Sequence, residues 1–418
     1  MDRGASADPV PGSHATADAA PAEPATADSS AVRGRRRWPL PRQAVPGAPL
    51  LRVEDLTVRF ALPKGTVKAV DGVSFQLEDG EALGIAGESG CGKTTTALSL
   101  VRLLPANGRI RSGKVELYGI DLVQKTELQL ARYRWREISI VFQGAMNALN
   151  PVRRVGDQIA EPIEVRLGQP REAARKHAVE LLDLVGIPKQ RASAYAHELS
   201  GGMRQRAMIA MALACDPAIV IGDEPTTALD VMVQAQILQL LEQLRRDLGL
   251  SLILITHDLS VIADTCDKVM VMYAGKVAEE GPVRRVFTAP RHPYTQALMA
   301  AYPNIHADRR TLEVIPGMPP DLRNPPPGCR FAPRCAFAMP VCTEVVPPEV
   351  TFADGVRVAC HLYPSPDAPM AGQTGRSHST RAIDVIGADL DQGVATITDA
   401  VDLPALIAPG TDSSGTAS

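Results

Sequence analysis

A glycine-rich segment between an apolar run and a helical pattern is the clearest sign of chemistry in the sequence. Residues 87–94 read GESGCGKT, which is the full pattern of a phosphate-binding loop. Glycines let the backbone curl until several N–H groups point at an anion, and the following helix adds its positive end. Lys93 would neutralise the β- and γ-phosphates of a nucleotide, and the hydroxyl of Thr94 would bind Mg²⁺. The candidate nucleotide-binding residues of this segment are Gly87, Ser89, Gly90, Cys91, Gly92, Lys93, Thr94 and Thr95.

Two adjacent carboxylates end a second apolar run. Asp223 and Glu224 follow the residues Ala-Ile-Val-Ile at 218–221. A carboxylate at the end of a buried strand can hold Mg²⁺, and its neighbour, pointing to the other side, can reach an attacking water. Alone, such a pair is as often an exposed strand end as a catalytic site. The phosphate loop makes the catalytic interpretation the stronger one.

A second anion-binding position is predicted at residues 199–206, which read LSGGMRQR. The pattern is a loop-to-helix junction, in which Ser200 is a candidate N-cap and the two glycines leave the backbone bare. The start of the helix would then attract an anion. A single phosphate site does not need this second helix start.

The string LSGGMRQR resembles the signature motif of ATP-binding cassette (ABC) proteins, and further motifs follow in the order of that family. A lone histidine after a strand, or a lone phenylalanine ending one, is more often structural. Together, however, the motifs make the resemblance over residues 50–290 specific. Those motifs are Phe60 as the A-loop aromatic, Gln143 as the Q-loop glutamine, Asp223-Glu224-Pro225 as Walker B, Thr227–Asp230 as the D-loop and His257 as the switch histidine.

The resemblance implies a role for each of these residues. Two such domains would pack head to tail, with ATP between the phosphate loop of one and the signature loop of the other. Ser200, Gly201, Gly202 and Asp230 would then act on a nucleotide that is shared with the partner, and Phe60 would stack on adenine. The implied catalytic residues are Glu224, His257 and Gln143, and the implied Mg²⁺ ligands are Thr94, Gln143 and Asp223.

Three further strings resemble the oligopeptide/dipeptide permease branch of the family: GESGCGKTTT at 87–96, VFQGAMNALNP at 141–151 and HPYTQAL at 292–298. The resemblance implies an ATPase that powers peptide import, with nickel or another small ligand as the alternative cargo. It also implies two transmembrane permease subunits, a second ABC ATPase, more often different than identical, and an extracytoplasmic binding protein.

Four of the seven cysteines are grouped near the C-terminal end. Cys329, Cys335, Cys342 and Cys360 are separated by five, six and seventeen residues. Four thiolates match a tetrahedral zinc site or a four-iron cluster, but structural zinc usually has tighter gaps. This segment resembles one that holds a [4Fe-4S] cluster in related permease ATPases, which favours the cluster over zinc. Reduced cysteines packed in a small core are the third possibility.

The elements that must position these residues follow from the periodicity. Strands that alternate with helices predict a parallel sheet covered on both faces. The family resemblance implies that this sheet belongs to an α/β P-loop NTPase fold of the ABC type with a helical subdomain. Residues 155–186 are predicted to be helical, and residues 231–249 to form an amphipathic helix with Val233, Ile237, Leu240 and Leu244 on one face. Residues 269–281 are predicted to be a hairpin that turns at Ala274-Gly275. The predicted division is a disordered tail at 1–48, the ABC ATPase at 49–289, a cysteine module at 290–363 and a mostly disordered tail at 364–418.

Composition limits the other classes of function. The 418 residues carry a formal net charge of −3 and only 4% aromatic residues, so neither a basic field nor a base-stacking platform points to nucleic acid. The sequence has one cassette and no heptad run, which opposes an ABC ATPase acting on DNA or ribosomes.

The sequence also predicts where the chain works. No apolar run reaches membrane-spanning length, and Arg35–Arg37 are followed by prolines instead of the apolar core of a signal peptide. We therefore expect a peripheral protein on the cytoplasmic face of the membrane, held there by its partners. An exporter is opposed by the importer motifs, and a catalytically dead subunit by the intact Glu224 and His257.

Overall fold

The structure is a computed structural model that describes residues 45–144, 148–227, 229–301 and 315–366. The predicted tails at 1–48 and 364–418 lie largely outside these ranges. So do Ala228 of the predicted D-loop and part of the VFQGAMNALNP string.

Two β-sheets form the frame of the described residues. The first contains β1 (Leu51–Leu62), β2 (Gly65–Leu77), β4 (Gly108–Leu117) and β5 (Ile120–Asp121), in the antiparallel order β2-β1-β4-β5. The second contains β3 (Ala82–Ala86), β6 (Ile138–Val141), β7 (Ile219–Asp223), β8 (Ser251–Ile255), β9 (Lys268–Tyr273), β10 (Lys276–Pro282), β11 (Glu349–Thr351) and β12 (Arg357–Ala359). Its order is β11-β12-β10-β9-β3-β8-β7-β6.

The centre of the second sheet is parallel, as predicted. Strands β9, β3, β8, β7 and β6 pair in parallel, and every residue of β3, β7 and β8 is buried. Such strands need helices on both faces, which explains their uninterrupted apolar sequences. Because the strands are parallel, their carboxyl ends lie at one edge of the sheet. The phosphate loop, Glu224 and His257 follow β3, β7 and β8 respectively, so the fold brings them to that edge.

Ten α-helices lie in the described residues, with short 3₁₀ turns between some of them. None of them combines the length and the apolar character that crossing a membrane requires. They are α1 (Lys93–Leu100), α2 (Glu127–Leu130), α3 (Val155–Leu167), α4 (Arg171–Leu184), α5 (Gly201–Leu213), α6 (Val231–Leu248), α7 (Leu259–Thr265), α8 (Val283–Thr288), α9 (Pro293–Ala300) and α10 (Pro340–Glu344).

The predicted helical stretch at 155–186 is two helices, α3 and α4. Gly168 ends α3 with φ 65°, and Pro170 precedes α4, so a left-handed turn and a proline interrupt the helix. Residues of α3, α4 and α5 bury their apolar faces in one cluster, which includes Ile159, Leu182 and Ile209. The same cluster continues into the main sheet through residues such as Val220 and Leu252, so the helical subdomain shares its core with the sheet.

The other local predictions are confirmed. Helix α6 buries Ile237, Leu240 and Leu244 of its predicted apolar face, and Val233 of that face is half-buried. The hairpin of β9 and β10 turns at Ala274 and Gly275, which have φ values of 49° and 86°.

The C-terminal segment shares the sheet and the core of the cassette. β12 pairs with β10 through Glu279 opposite Val358, and β11 pairs with β12. The Phe331 ring packs 5.2 Å from the ring of Tyr273 and 5.3 Å from that of Tyr294. The segment predicted as a second module therefore continues the main sheet, although Val358, Cys360 and Leu362 also form a small cluster of their own.

A buried arginine anchors this segment to the first sheet. The side chain of Arg330 is 5% exposed, donates to the carbonyl of Ala274 and pairs with the carboxylate of Asp71 on β2. Removal of one partner from a buried pair leaves the other partner uncompensated, which is strongly destabilising.

We predict that Arg330→Met lowers the free energy of unfolding by about 3 kcal/mol, the low end for a buried pair because Asp71 keeps some exposure. Denaturant unfolding of the purified chain measures this change. Arg323→Met is the matched control, since Arg323 pairs with Asp321 at the surface. Equal losses in the two variants would show that the Arg330 pair does not anchor the segment.

Candidate functional site

The phosphate loop joins β3 to α1, and two of its glycines lie against other parts of the backbone. Gly87 has φ 143°, and a Cβ there would lie 2.2 Å from the carbonyl oxygen of Met272. Gly92 has φ 109°, and its Cβ would lie 2.4 Å from the carbonyl oxygen of Ala69. Neither approach is possible with a side chain, so glycine is required at both positions.

The lysine of the loop curls back over it. The ammonium of Lys93 donates to the carbonyls of Gly87 at 2.7 Å and Glu88 at 3.1 Å, and the residue is 7% exposed. These bonds hold a positive charge inside the curve of the loop, next to the start of α1. Both features attract an anion.

Two oxygen ligands suited to Mg²⁺ converge beside the loop. The Thr94 hydroxyl, at the start of α1, donates to Oδ1 of Asp223 at 3.0 Å. Asp223 ends β7 and is 2% exposed, and this burial raises the pKa of its carboxyl, while the bond from Thr94 opposes the shift. Mg²⁺ in nucleotide sites is commonly held by one or two protein oxygens together with phosphates, so this donor pair fits the ion.

The three predicted catalytic residues meet at the end of β7. Glu224 has φ 47°, an uncommon conformation for a residue with a side chain, and its N–H donates to the carbonyl of Ile255. Its Oε2 accepts from Gln143 Nε2 at 2.7 Å and from Thr227 Oγ1 at 2.9 Å. Nδ1 of His257 lies 3.7 Å from Oε1. The strained backbone and the two hydrogen bonds hold the carboxylate in one orientation.

The signature segment has the cap that the sequence predicts. Ser200 precedes α5, and its Oγ accepts from the N–H of Met203 at 3.3 Å. A Cβ on Gly202 would lie 2.7 Å from Val233 on α6, and Asp230 caps that helix through the N–H of Val233. The start of α5 is therefore fixed against the start of α6, while Ser200 itself stays exposed.

Phe60 lies near the end of β1, opposite Gly108 of β4. A Cβ on Gly108 would lie 2.8 Å from Cε1 of Phe60, so the ring covers the bare backbone of the glycine. Its predicted role against adenine stays a prediction.

The four C-terminal cysteines line one cavity, together with aromatic and apolar residues such as Phe331 and Leu362. Backbone N–H groups approach two of the sulfurs, Phe337 N at 3.4 Å from Cys335 Sγ and Met339 N at 3.5 Å from Cys342 Sγ. Burial raises the pKa of Cys335 to about 11 and that of Cys360 to about 12, with smaller contributions from the neighbouring thiols. The cysteines that line this cavity are Cys329, Cys335, Cys342 and Cys360.

Among the described residues, no group of three or more His, Cys, Asp or Glu side chains is placed to hold a metal ion. The Nε2 atom of His361 lies 2.9 Å from the carbonyl of Val345.

Two contacts of the phosphate loop were not predicted from the sequence. The N–H of Glu88 donates to the hydroxyl of Tyr294 at 2.9 Å, and the Glu88 carboxylate binds both terminal nitrogens of Arg334. The sequence analysis singled out the segments that contain both partners, because Tyr294 lies in HPYTQAL and Arg334 lies among the cysteines. These partners are 206 and 246 residues from Glu88 along the chain, however, and a local sequence pattern cannot predict a contact at such a separation.

Comparison with known proteins agrees with this geometry. Residues 70–227 match the family model described as ABC transporter, and residues 278–342 match the one described as oligopeptide/dipeptide transporter, C-terminal region. The oligopeptide transport ATP-binding protein OppD of Escherichia coli is 48% identical over 313 residues, or 74% of this chain and 92% of the relative. The dipeptide transport ATP-binding protein DppD of Bacillus subtilis is 46% identical over 316 residues, or 75% and 94%.

A solved structure extends the comparison to the fold. The ATP-binding cassette MJ0796, in a dimeric post-hydrolysis state bound to ADP and Pi, aligns with a TM-score of 0.51 and 28% identity. The alignment covers 56% of this chain and 98% of that cassette.

We predict that Gly87→Ala weakens binding of MgATP at least tenfold, equivalent to about 1.4 kcal/mol, because the new methyl group collides with the carbonyl of Met272. Fluorescence titration of the purified chain gives the Kd. Gly80→Ala is the control, since Gly80 has φ 77° but no atom within 4 Å of its Cβ position. Unchanged binding in a folded Gly87→Ala chain would contradict the required close approach.

Proposed function

Because the chain belongs to the family of ABC transporter ATP-binding proteins, we propose that it hydrolyses ATP to drive the uptake of oligopeptides or dipeptides. The observation that carries the proposal is the meeting of Gln143 and His257 at Glu224, next to the Thr94–Asp223 pair. The names of the relatives support peptides as the cargo.

The chemistry required of the protein is positioning and charge stabilisation. The N–H groups of the phosphate loop and the ammonium of Lys93 bind the phosphates. Glu224, held by Gln143 and Thr227, orients the attacking water in line with the γ-phosphate. Nδ1 of His257 lies 3.7 Å from Oε1 of Glu224, and the family resemblance implies that this histidine contacts the γ-phosphate. Thr94 and Asp223 would hold Mg²⁺, and the ion would supply positive charge to the phosphates.

The signature segment completes the site of a second ATPase chain. Ser200, Gly201 and Gly202 at the start of α5 form the second anion-binding position, and Asp230 lies beside them at the start of α6. The dimeric state of the MJ0796 cassette supports pairing with a second chain, and the family resemblance implies that the pairing is head to tail. We infer that the partner is a different ABC ATPase, and that two permease subunits hold both chains at the cytoplasmic face. An extracytoplasmic binding protein delivers the peptide.

We further propose that the cavity of the four cysteines holds a [4Fe-4S] cluster. Support comes from the four thiols that line one cavity, and from the N–H groups that approach Cys335 and Cys342. Backbone N–H groups near the sulfurs are among the features that tune such clusters. A bound cluster would stabilise the fold of this short segment, because the segment has little apolar core of its own.

We predict that Glu224→Gln lowers ATP turnover by the assembled transporter at least about 100-fold, because an amide cannot accept the proton of the attacking water. The Kd for MgATP should stay close to that of the unaltered chain. Phosphate release and uptake of a labelled peptide measure the two consequences. Glu172→Gln, an exposed change on α4, serves as the control.

Unchanged turnover in the Glu224→Gln transporter would remove this chain from catalysis. Uptake of nickel but not peptide by the unaltered transporter would replace the proposed cargo and leave the ATPase intact.

We predict that anaerobic purification yields a brown protein that contains iron and acid-labile sulfide in equal amounts. Cys342→Ser should lose most of both, since four thiolates hold the cluster. Cys215→Ser is the control, because Cys215 is buried away from the cavity. A colourless protein with stoichiometric zinc would assign the site to zinc, and a protein without either metal would leave four packed thiols.

A further inference from the structure

An acidic side chain stands within the phosphate loop. Glu88 follows Gly87, and its carbonyl accepts from the ammonium of Lys93 while its N–H donates to Tyr294. Its backbone therefore helps to shape the loop. Its carboxylate, however, places a negative charge beside a site for a polyanion, and like charges repel. Unless that charge is neutralised, Glu88 opposes nucleotide binding.

Arg334 supplies the neutralising charge, with every N–H of its guanidinium bonded. Nη1 donates to Glu88 Oε2 at 2.7 Å and to the Tyr273 hydroxyl at 3.1 Å. Nη2 donates to Glu88 Oε1 at 3.0 Å and to the carbonyl of Ile315 at 3.3 Å, and Nε donates to the carbonyl of Pro316 at 2.8 Å. The Arg334 side chain is 6% exposed and that of Glu88 is 22% exposed, so water screens the pair little.

The arginine comes from the cysteine segment. It ends the 3₁₀ turn at Ala332–Arg334, directly before Cys335. Phe331, in the same stretch, packs on Tyr273 and Tyr294, and these two tyrosines bond to Arg334 and Glu88 respectively. A continuous set of contacts thus joins the wall of the cysteine cavity to the phosphate loop.

We propose that Arg334 is a positioning residue for ATP binding, and that through it the cysteine segment sets the affinity of the nucleotide site. Arg334 cancels the charge of Glu88 and holds that residue beside Tyr294, which leaves the loop open to phosphate. The proposal rests on the proposed ATP-dependent function and deepens it, since it assigns the C-terminal segment a part in nucleotide binding.

A double-mutant cycle on the purified full chain tests the proposal, with the Kd for MgATP and for MgADP as readouts. Arg334→Gln should weaken MgATP binding at least tenfold, and MgADP binding less, because an uncompensated carboxylate faces the larger anionic charge of ATP. Glu88→Gln should change the Kd by less than about threefold. The double variant should return to within about threefold of Glu88→Gln, since no unpaired charge remains.

Controls separate positioning from folding. Arg334→Lys keeps the charge but loses the two parallel bonds, so its Kd should lie between those of the unaltered chain and Arg334→Gln. Arg323→Gln, a change at an exposed arginine, should leave both Kd values unchanged. Thermal unfolding of each variant reports whether the fold persists.

Two results would overturn the inference. One is a Kd for Arg334→Gln equal to that of the unaltered chain. The other is a double variant as weak as Arg334→Gln, which would mean that Arg334 acts through the fold and not through Glu88. In both cases the proposed ATPase function would stand. If the unaltered chain itself failed to bind MgATP, that result would instead contradict the proposed function.

Discussion

The nucleotide site depends on two places where the backbone of the phosphate loop lies directly against the backbone of a strand, with no side chain between them. Gly87 lies against the carbonyl of Met272 on β9, and Gly92 lies against that of Ala69 on β2. The phosphate loop is therefore pressed between the two sheets, and its curve depends on both. Lys93, the Thr94–Asp223 pair and the start of α1 take their positions from that curve. This is why a loop of eight residues requires a frame built from widely separated parts of the chain.

Local patterns predicted the elements near the site, and long-range contacts escaped them. β3, β7 and β8 were readable because a strand buried on both faces is an uninterrupted apolar run, and the turn at Ala274–Gly275 because a glycine separates two strand-like segments. β11 and β12 were not, since three residues are too few to show a period. The family motifs marked Gln143 and Glu224 as site residues but did not predict their hydrogen bond, and no motif includes the Glu88–Arg334 pair.

The cysteine segment has two faces with different chemistry. Cys329 and Cys335 line the cavity, while their neighbours Arg330 and Arg334 reach the opposite way, to Asp71 and Glu88 of the cassette. Burial raises the pKa of Cys329 and Cys335, which favours their protonated thiols. Binding of the proposed cluster would therefore require these thiols to release their protons. The same short stretch of chain thus combines buried thiols with an ionic attachment to the phosphate loop.

The pairing of β12 with β10 has a practical consequence for anyone who shortens or exchanges the end of this chain. β10 is hydrogen-bonded to β9 on one side and to β12 on the other. A fragment that stops after this hairpin would leave β10 as an exposed edge strand. The unpaired N–H and C=O groups of such a strand can pair with strands of other molecules. A shortened or chimeric cassette should therefore retain residues 349–359, or carry another strand that pairs with β10. Without such a strand, we expect the cassette to self-associate through β10.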